Sequence, residues 1–206
     1  MNQNDIKAVN ELKMLAIDMI NQARGGNPGI VMDMAGVMYT LFARELNVYP
    51  KDPHFFNRDR VILSAAHLSP LYYATLYMAG FEITKEDLQH FRRLDSVTPG
   101  LPELNNPLGV EATTGYAGDG VGNAVGIALA RRYIEGLIKK EDSKLNLLNF
   151  YTYCFLSDAD MMSGASEEAF SFASAQKLNH LIFLYDANNM TGEGTLDHVF
   201  TENLEK

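Results

Sequence analysis

Residues 149–156 read NFYTYCFL, a continuous apolar and aromatic stretch that stops at the polar residues SDAD of positions 157–160. A second apolar stretch, LIFLY at residues 181–185, stops at DANNM. Residues 164–177, between the two stretches, read as a helix. A strand, a helix and a strand of these lengths form a parallel unit, whose crossover is nearly always right-handed. The sequence therefore predicts a parallel sheet with helical connections.

The polar residues that follow the two strands suit a divalent cation. Neighbouring parallel strands end side by side, so we expect Asp158 and Asn188 to face one crevice, where α/β sheets bind ligands. A carboxylate, an amide oxygen and a nearby backbone carbonyl are hard ligands for Mg²⁺ shared with a phosphate. In the alternative interpretation, Asp158 and Asn188 only form turns and cap helices. This unit alone leaves both interpretations open.

Composition indicates one ordinary globular domain. The chain has 206 residues, of which 47% are hydrophobic and 21% are charged. Its formal net charge of −9, without a Lys/Arg cluster, argues against a nucleic-acid partner. No apolar run approaches the roughly 20 residues that span a bilayer, and the N-terminus has no signal-peptide pattern. We therefore expect a cytoplasmic protein without a membrane partner, with its single Cys154 buried and inert.

Apolar spacing and turn residues predict the remaining elements. Asp5 is the expected N-cap of the first helix. Residues 94–116 are rich in Pro and Gly and lack a period, and such a long irregular connection is uncommon unless it is functional. Helices are predicted over residues 6–20, 30–46, 70–79 and 118–140 and after Thr84, with a strand over residues 59–64.

This order of elements predicts a three-layer α/β/α fold with a mostly parallel sheet and helices on both faces. The residues expected in its core are apolar positions of the predicted helices and strands: Leu15, Met19, Val37, Leu41, Leu76, Val125, Leu129, Phe155, Phe170 and Phe183.

A glycine-rich segment, GYAGDGVG at residues 115–122, begins the predicted helix of residues 118–140 and has two interpretations. Glycines let a ligand approach the backbone, and a helix N-terminus attracts phosphate. They also let two buried helices pack closely with no ligand involved. His67, in the turn after the strand of residues 59–64, is likewise either a structural residue or a catalytic one.

Several separate segments of the chain match one family in order and spacing. They are GGNPG (25–29), DRVILSAAH (59–67), TPGLPE (98–103), GVEATTG (109–115), NAVG (123–126) and SDA (157–159) with Asn188. From residue 6 to residue 198 the chain resembles the N-terminal, thiamine-diphosphate-binding domain of transketolase. The resemblance implies the thiamine-diphosphate-binding fold, with thiamine diphosphate and Mg²⁺ (or Ca²⁺) as cofactors.

The resemblance also implies roles for named residues. Asp158, the Asn188 side chain and the Met190 carbonyl would hold the metal, which in turn holds the diphosphate. His67 would contact the cofactor and act in catalysis.

Three further positions would lie beside the cofactor by the same resemblance, namely Gly115, Ala117 and Ala159. The cofactor would supply an electron sink for ketose chemistry, while the protein would fold the cofactor and move protons.

Several pocket positions depart from the family pattern. Asn27 and Leu101 stand where the family has histidines, and Ser163 stands where it has a glutamate. Ala159 replaces a glycine beside the metal aspartate, and Asp119 adds a negative charge to the glycine-rich segment. We expect weak or absent thiamine diphosphate binding, with Ala159 and Asp119 as the main obstacles.

The family continues beyond the region that these 206 residues match, and a further domain carries the glutamate that activates the cofactor. Residues 1–206 are therefore expected to form a single, C-terminally truncated domain that is inactive alone and requires a homodimer or a C-terminal transketolase-type subunit. The first hypothesis is a transketolase N-terminal domain or split subunit, which transfers two-carbon ketol units between sugar phosphates in the pentose phosphate pathway. The alternatives are an inactive pseudoenzyme that binds a partner, and a thiamine diphosphate enzyme with altered chemistry.

Overall fold

Three parallel strands form the central sheet. The computed structural model describes residues 2–139, 147–192 and 194–200 of the chain. The strands are β1 (Arg60–Leu63), β2 (Thr152–Ser157) and β3 (Leu181–Asp186), in the spatial order β1-β2-β3. Both strand pairs are parallel, so the predicted strand–helix–strand unit is confirmed.

Helices connect the strands and cover the sheet. Within the described ranges, no helix is long and apolar enough to cross a membrane. The helices are α1 (Gln3–Ala23), α2 (Pro28–Thr40), α3 (Ser69–Met78), α4 (Lys85–Gln89), α5 (Asp119–Ile138), α6 (Asp158–Met161) and α7 (Gly164–Ala175). Shorter elements are a π turn at Leu41–Glu45, 3₁₀ turns at Ala66–Leu68 and Leu196–His198, and a hairpin of β4 (Met190–Thr191) and β5 (Gly194–Thr195).

The two faces of the sheet pack against different helices, which confirms the predicted three layers. Successive side chains of a strand point to opposite faces. Leu63 and Phe155 therefore belong to the core cluster with α1, α2 and α3, whereas Ile62 and Cys154 pack against α5 and α7. Cys154 is buried, as predicted, and burial is the main cause that raises the pKa of its thiol above the ordinary value, so the thiol stays protonated.

Nine of the ten residues predicted for the core are buried or partly buried. Met19, Leu41, Leu76, Val125 and Phe155 are buried, and Leu15, Leu129, Phe170 and Phe183 are partly buried. The prediction for Val37 was wrong, because its side chain is 39% exposed. Helix α2 buries a different face, formed by Ile30, Val31, Met34, Ala35 and Met38.

The first helix begins earlier than predicted. Its N-cap is Asn2 rather than Asp5, because the Asn2 side chain accepts hydrogen bonds from the backbone N–H groups of Asn4 and Asp5. Asp5 instead accepts from the Asn2 backbone N–H, the Tyr39 hydroxyl and the Arg44 guanidinium. These contacts, the Asn2 N–H first, lower the pKa of Asp5 and tie α1 to α2 and the turn after it.

The glycine-rich start of α5 packs closely against the end of β1 and, at Gly118, against Ser163 and Ser166 at the start of α7. A Cβ atom on Gly120 would lie 2.4 Å from the Ser64 Cα atom, directly after β1. Gly118, the N-cap, has a φ of +88°, a conformation that favours glycine. The absence of side chains at these glycines therefore lets the N-terminus of α5 pack directly against the end of β1.

The irregular segment of residues 94–116 is held by polar contacts to the body of the domain. The Tyr72 hydroxyl donates to the Gly109 carbonyl at 2.8 Å, and the Ser69 hydroxyl donates to the Gly100 carbonyl at 2.8 Å. Arg58 and Glu111 form an ion pair through two hydrogen bonds of 2.8 and 2.6 Å. A long segment without regular structure thereby receives a defined path next to α3 and β1.

Candidate functional site

A cleft of about 590 Å³ lies where β2 and β3 end, as the polar strand ends predict. It brings together three of the predicted cofactor or catalytic residues, His67, Ala159 and Asn188, with Met190 and Asn27. The remaining lining residues are Gly29, Ile30, Asp33, Ser157, Thr191 and Gly192. The cleft therefore combines the ends of two strands, the turn after β1 and the start of α2.

Asp158 is the first residue of α6 and lies immediately beyond β2, between two residues that line the cleft. Its side chain is 1% exposed, and its Oδ1 atom accepts a hydrogen bond from the Tyr185 hydroxyl. Its Oδ2 atom is buried and has no hydrogen-bond partner. Buried polar atoms are normally paired, so this oxygen fits the place of a cation ligand.

Asn188 lies in the loop between β3 and β4. Its Nδ2 atom donates to the Asp186 carboxylate at 2.8 Å, and its Oδ1 atom accepts from the Met190 N–H at 2.9 Å. An amide oxygen has two lone pairs, so Oδ1 retains capacity for a cation. The described residues contain no group of three or more His, Cys, Asp or Glu side chains that suits a metal. A cation here would therefore need mixed oxygen ligands.

His67 lies in the 3₁₀ turn after β1 and lines the cleft. Burial lowers the pKa of its imidazole, although the charges of Asp160 and Asp186 oppose that effect. The imidazole is therefore neutral near neutral pH, with one nitrogen as a donor and the other as an acceptor.

The cleft carries more negative charge than the sequence indicated. Asp33, on α2, lines it, and Asp186 ends β3. Burial raises the pKa of Asp186, and the charges of Asp33 and Asp158 add to this increase, while the Asn188 hydrogen bond and His67 oppose it. An anionic ligand would therefore need a cation to offset these carboxylates.

Asp160 organises the segments around the cleft. Its Oδ1 atom accepts hydrogen bonds from the Ser64 hydroxyl at 2.6 Å and from the Gly118 N–H at 2.9 Å. Its Oδ2 atom accepts from the Ser157 N–H at 2.8 Å and from the Ser157 hydroxyl at 3.2 Å. One buried carboxylate therefore joins the ends of β1 and β2 to the start of α5.

The sequence prediction missed Asp160, Asp33 and Tyr185 as parts of this region. The spacing of Ser157 and Asp160, three residues apart before a helix, is a capping-box signal that indicates Asp160. Asp33 follows from no motif, and the contact between Tyr185 and Asp158 depends on strand register. Tertiary structure was needed for both.

Gly115 and Ala117, two of the predicted cofactor residues, do not line the cleft. Both are exposed in the segment that precedes α5. The nearest atom to a Cβ built on Gly115 is Leu101 Cδ1, at 3.2 Å. Gly115 therefore lies beside Leu101, outside the cleft lining.

The positions that depart from the family pattern lie in different surroundings. Asn27 lines the cleft and N-caps α2, where its Oδ1 atom accepts from the Gly29 N–H at 3.0 Å. Ser163 precedes α7 as its N-cap residue. Asp119 is exposed outside the cleft lining, and its carboxylate accepts from the Tyr116 N–H at 3.2 Å. The Asp119 carboxylate therefore pairs with a nearby backbone N–H group and is not part of the cleft lining.

Comparisons with known proteins agree on one family. A family model described as transketolase, thiamine diphosphate binding domain, matches residues 4–206. The chain is 43% identical over 202 residues to the transketolase of Aquifex aeolicus. This match covers 98% of the chain and 29% of the relative. It is 42% identical over 200 residues to the Bacillus subtilis transketolase. That match covers 97% of this chain and 30% of the relative.

Solved structures give the same result. The transketolase from Leishmania mexicana superposes with a TM-score of 0.94 at 36% identity, which covers 100% of this chain and 30% of that one. The transketolase from Campylobacter jejuni gives a TM-score of 0.92 at 38% identity, with coverages of 100% and 32%. The chain thus spans about 30% of the length of the curated relatives that it matches.

Proposed function

The chain belongs to the transketolase family through its thiamine diphosphate binding domain, and on that premise we propose that it supplies the cofactor-binding part of a ketol transferase. The reaction would move two-carbon ketol units between sugar phosphates, in the cytoplasm. The observation that carries the proposal is the unpaired, buried Asp158 Oδ2 atom beside a 590 Å³ cleft.

The cation would bind to oxygen atoms from the ends of two adjacent strands. Asp158 Oδ2, Asn188 Oδ1 and the Met190 carbonyl would hold Mg²⁺ or Ca²⁺, and the diphosphate would complete its coordination. The proposed cation offsets the negative charge of Asp33, Asp158 and Asp186, which would otherwise repel a diphosphate.

When bound, thiamine diphosphate supplies an electron sink that stabilises negative charge on the substrate carbon. The neutral His67 imidazole would donate a hydrogen bond to an anionic oxygen in the cleft, and its other nitrogen would accept a proton. The backbone of Gly115 and Ala117 would lie beside the aminopyrimidine, and the Ala159 backbone beside the diphosphate. The Cβ atom of Ala159, which lines the cleft, would limit how closely the ligand approaches.

Complete catalysis would need a partner surface. We propose that residues 1–206 act as one domain, in a homodimer or with a C-terminal transketolase-type subunit. The exposed apolar side chains of Leu94, Leu104 and Tyr116, all in or near the irregular segment, support a contact surface there. The 206-residue chain alone is then expected to bind ligand without ketol transfer.

A partner-binding protein without catalysis is the second candidate. Leu101 favours it, because this side chain offers no proton or hydrogen bond where the resemblance implies a histidine. Asn27 also favours it, since an amide does not exchange a proton near neutral pH as the histidine implied by the resemblance would. A thiamine diphosphate enzyme with altered chemistry would still bind thiamine diphosphate. Measuring that binding therefore separates such an enzyme from a partner-binding protein without the cofactor.

Isothermal titration calorimetry with thiamine diphosphate, at fixed and at zero Mg²⁺, tests the proposal. We expect weak binding that requires Mg²⁺ and that Asp158→Asn weakens by about tenfold or more. The matched control is Asp18→Asn, which replaces an exposed carboxylate on α1. This variant should bind like the wild type. A folded wild-type chain that binds no thiamine diphosphate at millimolar Mg²⁺ would contradict the cofactor role and favour partner binding.

A further inference from the structure

We propose that Tyr185 is a positioning residue for the cation site, because its hydroxyl holds the Asp158 carboxylate with Oδ2 facing the cation. The inference rests on the proposed function and adds a residue that the metal-ligand set does not contain. Two observations on one carboxylate carry it: Oδ1 accepts from Tyr185, and Oδ2 is buried without a partner.

The register of the sheet places Tyr185 for this task. Tyr185 pairs with Leu156 and Asp186 pairs with Ser157, so the last two residues of β3 lie beside the residues that lead into Asp158. Tyr185 contacts Asp158, and Asp186 accepts from the Asn188 amide at 2.8 Å. Consecutive residues of β3 therefore each fix one of the two proposed side-chain ligands.

The chemistry of the phenol suits this role. A neutral hydroxyl donates one hydrogen bond to a carboxylate and adds no positive charge that would compete with a cation. A tyrosine hydroxyl is ordinarily protonated at neutral pH, so it can act as this donor. Of the two oxygens, Oδ1 already accepts from Tyr185 whereas Oδ2 is buried and unpaired, and outer partners of this kind orient metal-binding carboxylates.

The Tyr185→Phe variant removes only the hydroxyl and keeps the ring. Thiamine diphosphate binding is measured by calorimetry across a series of Mg²⁺ concentrations. We expect the Mg²⁺ concentration for half-maximal binding to rise about tenfold in Tyr185→Phe, while saturating Mg²⁺ restores the wild-type affinity. Tyr133→Phe, whose side chain is 67% exposed on α5, is the control and should keep the wild-type Mg²⁺ requirement.

The same variants are titrated with Mn²⁺ alone and followed by electron paramagnetic resonance, which needs no organic cofactor. Weaker Mn²⁺ binding by Tyr185→Phe than by Tyr133→Phe supports the positioning role. An unchanged metal requirement, or a loss of binding that saturating Mg²⁺ does not restore, overturns it and leaves the proposed function intact. A wild type that binds neither Mn²⁺ nor Mg²⁺ with thiamine diphosphate overturns the proposed function and this role together.

Discussion

The ends of β2 and β3 both deliver a proposed cation ligand to the cleft, yet they differ in how firmly they are held. Every residue of β2 is buried, and Asp160 anchors its end through hydrogen bonds to Ser64, Gly118 and Ser157. Strand β3 is at the edge of the sheet, its first four residues are half-buried, and Tyr185 is 37% exposed.

The end of β2 is therefore fixed by the fold, whereas the end of β3 can change with less effect on the fold. The β2 side is specified by core packing and by buried hydrogen bonds, so the backbone at Asp158 has little freedom. The β3 side depends on the contact of Tyr185 with Asp158, beyond the end of β2, and on a local hydrogen bond from Asn188 to Asp186. Changes in β2 should therefore reduce stability, whereas changes at the end of β3 should mainly alter ligand binding.

The largest expected effect compares one phenylalanine in each strand. Phe155→Ala should lower the free energy of unfolding by about 3–5 kcal/mol, because this fully buried ring leaves a cavity in the main core. Phe183→Ala should cost about 1–2 kcal/mol, because that ring is only partly buried against Phe170. Urea denaturation measures both values, and equal losses would contradict the distinction between the strands.

A smaller effect is expected from one carboxylate near each strand end, Asp160 in α6 after β2 and Asp186 at the end of β3. Asp160→Asn should cost about 1–3 kcal/mol, since an amide nitrogen cannot accept from the donors that the lost oxygen serves. Asp186→Asn should change stability by less than about 1 kcal/mol, because burial already disfavours the charge and raises the pKa of Asp186. Thermal unfolding at pH 7 measures both, and a greater loss in Asp186→Asn would reverse the comparison.

The smallest effect concerns ligand affinity alone. Ala159→Gly removes a Cβ atom from the cleft lining and should tighten thiamine diphosphate binding by a few-fold, roughly 1 kcal/mol or less. Asp119→Gln should leave the affinity unchanged, because Asp119 is exposed outside the lining. Calorimetry on the single and double variants measures this. A gain from Asp119→Gln alone would restore the expectation that its charge opposes the ligand.

The fold was predictable because long apolar runs have few alternatives. The runs of β2 and β3, separated by one helix, left little choice except a parallel pair. Helix ends were less certain, since Asn2 and Asp5 are both good N-caps and only the hydrogen bonds distinguish them. Val37 was misplaced because α2 is apolar on several sides, so spacing alone did not identify the buried face.

The site was predictable to the extent that strand ends converge. Asp158, Asn188 and Met190 were predicted from strand ends and the family resemblance, and the structure brings their segments to one cleft. The partners of these residues were not predicted, because Tyr185 meets Asp158 only through the exact register of β2 and β3, which the sequence pattern does not specify. The roles of all these residues in ligand binding remain predictions.

The position of β3 at the edge of the sheet has a consequence for handling the protein. In the described part of the chain, β3 pairs only with β2, so its outward backbone amides should exchange hydrogen with solvent much faster than those of β2. Beside that edge lies an apolar groove of about 460 Å³, lined in part by Phe170, Leu178 and Phe183. Within the described residues, this apolar edge has unpaired ladder groups, which are a template for strand addition, so self-association through β3 should increase with protein concentration.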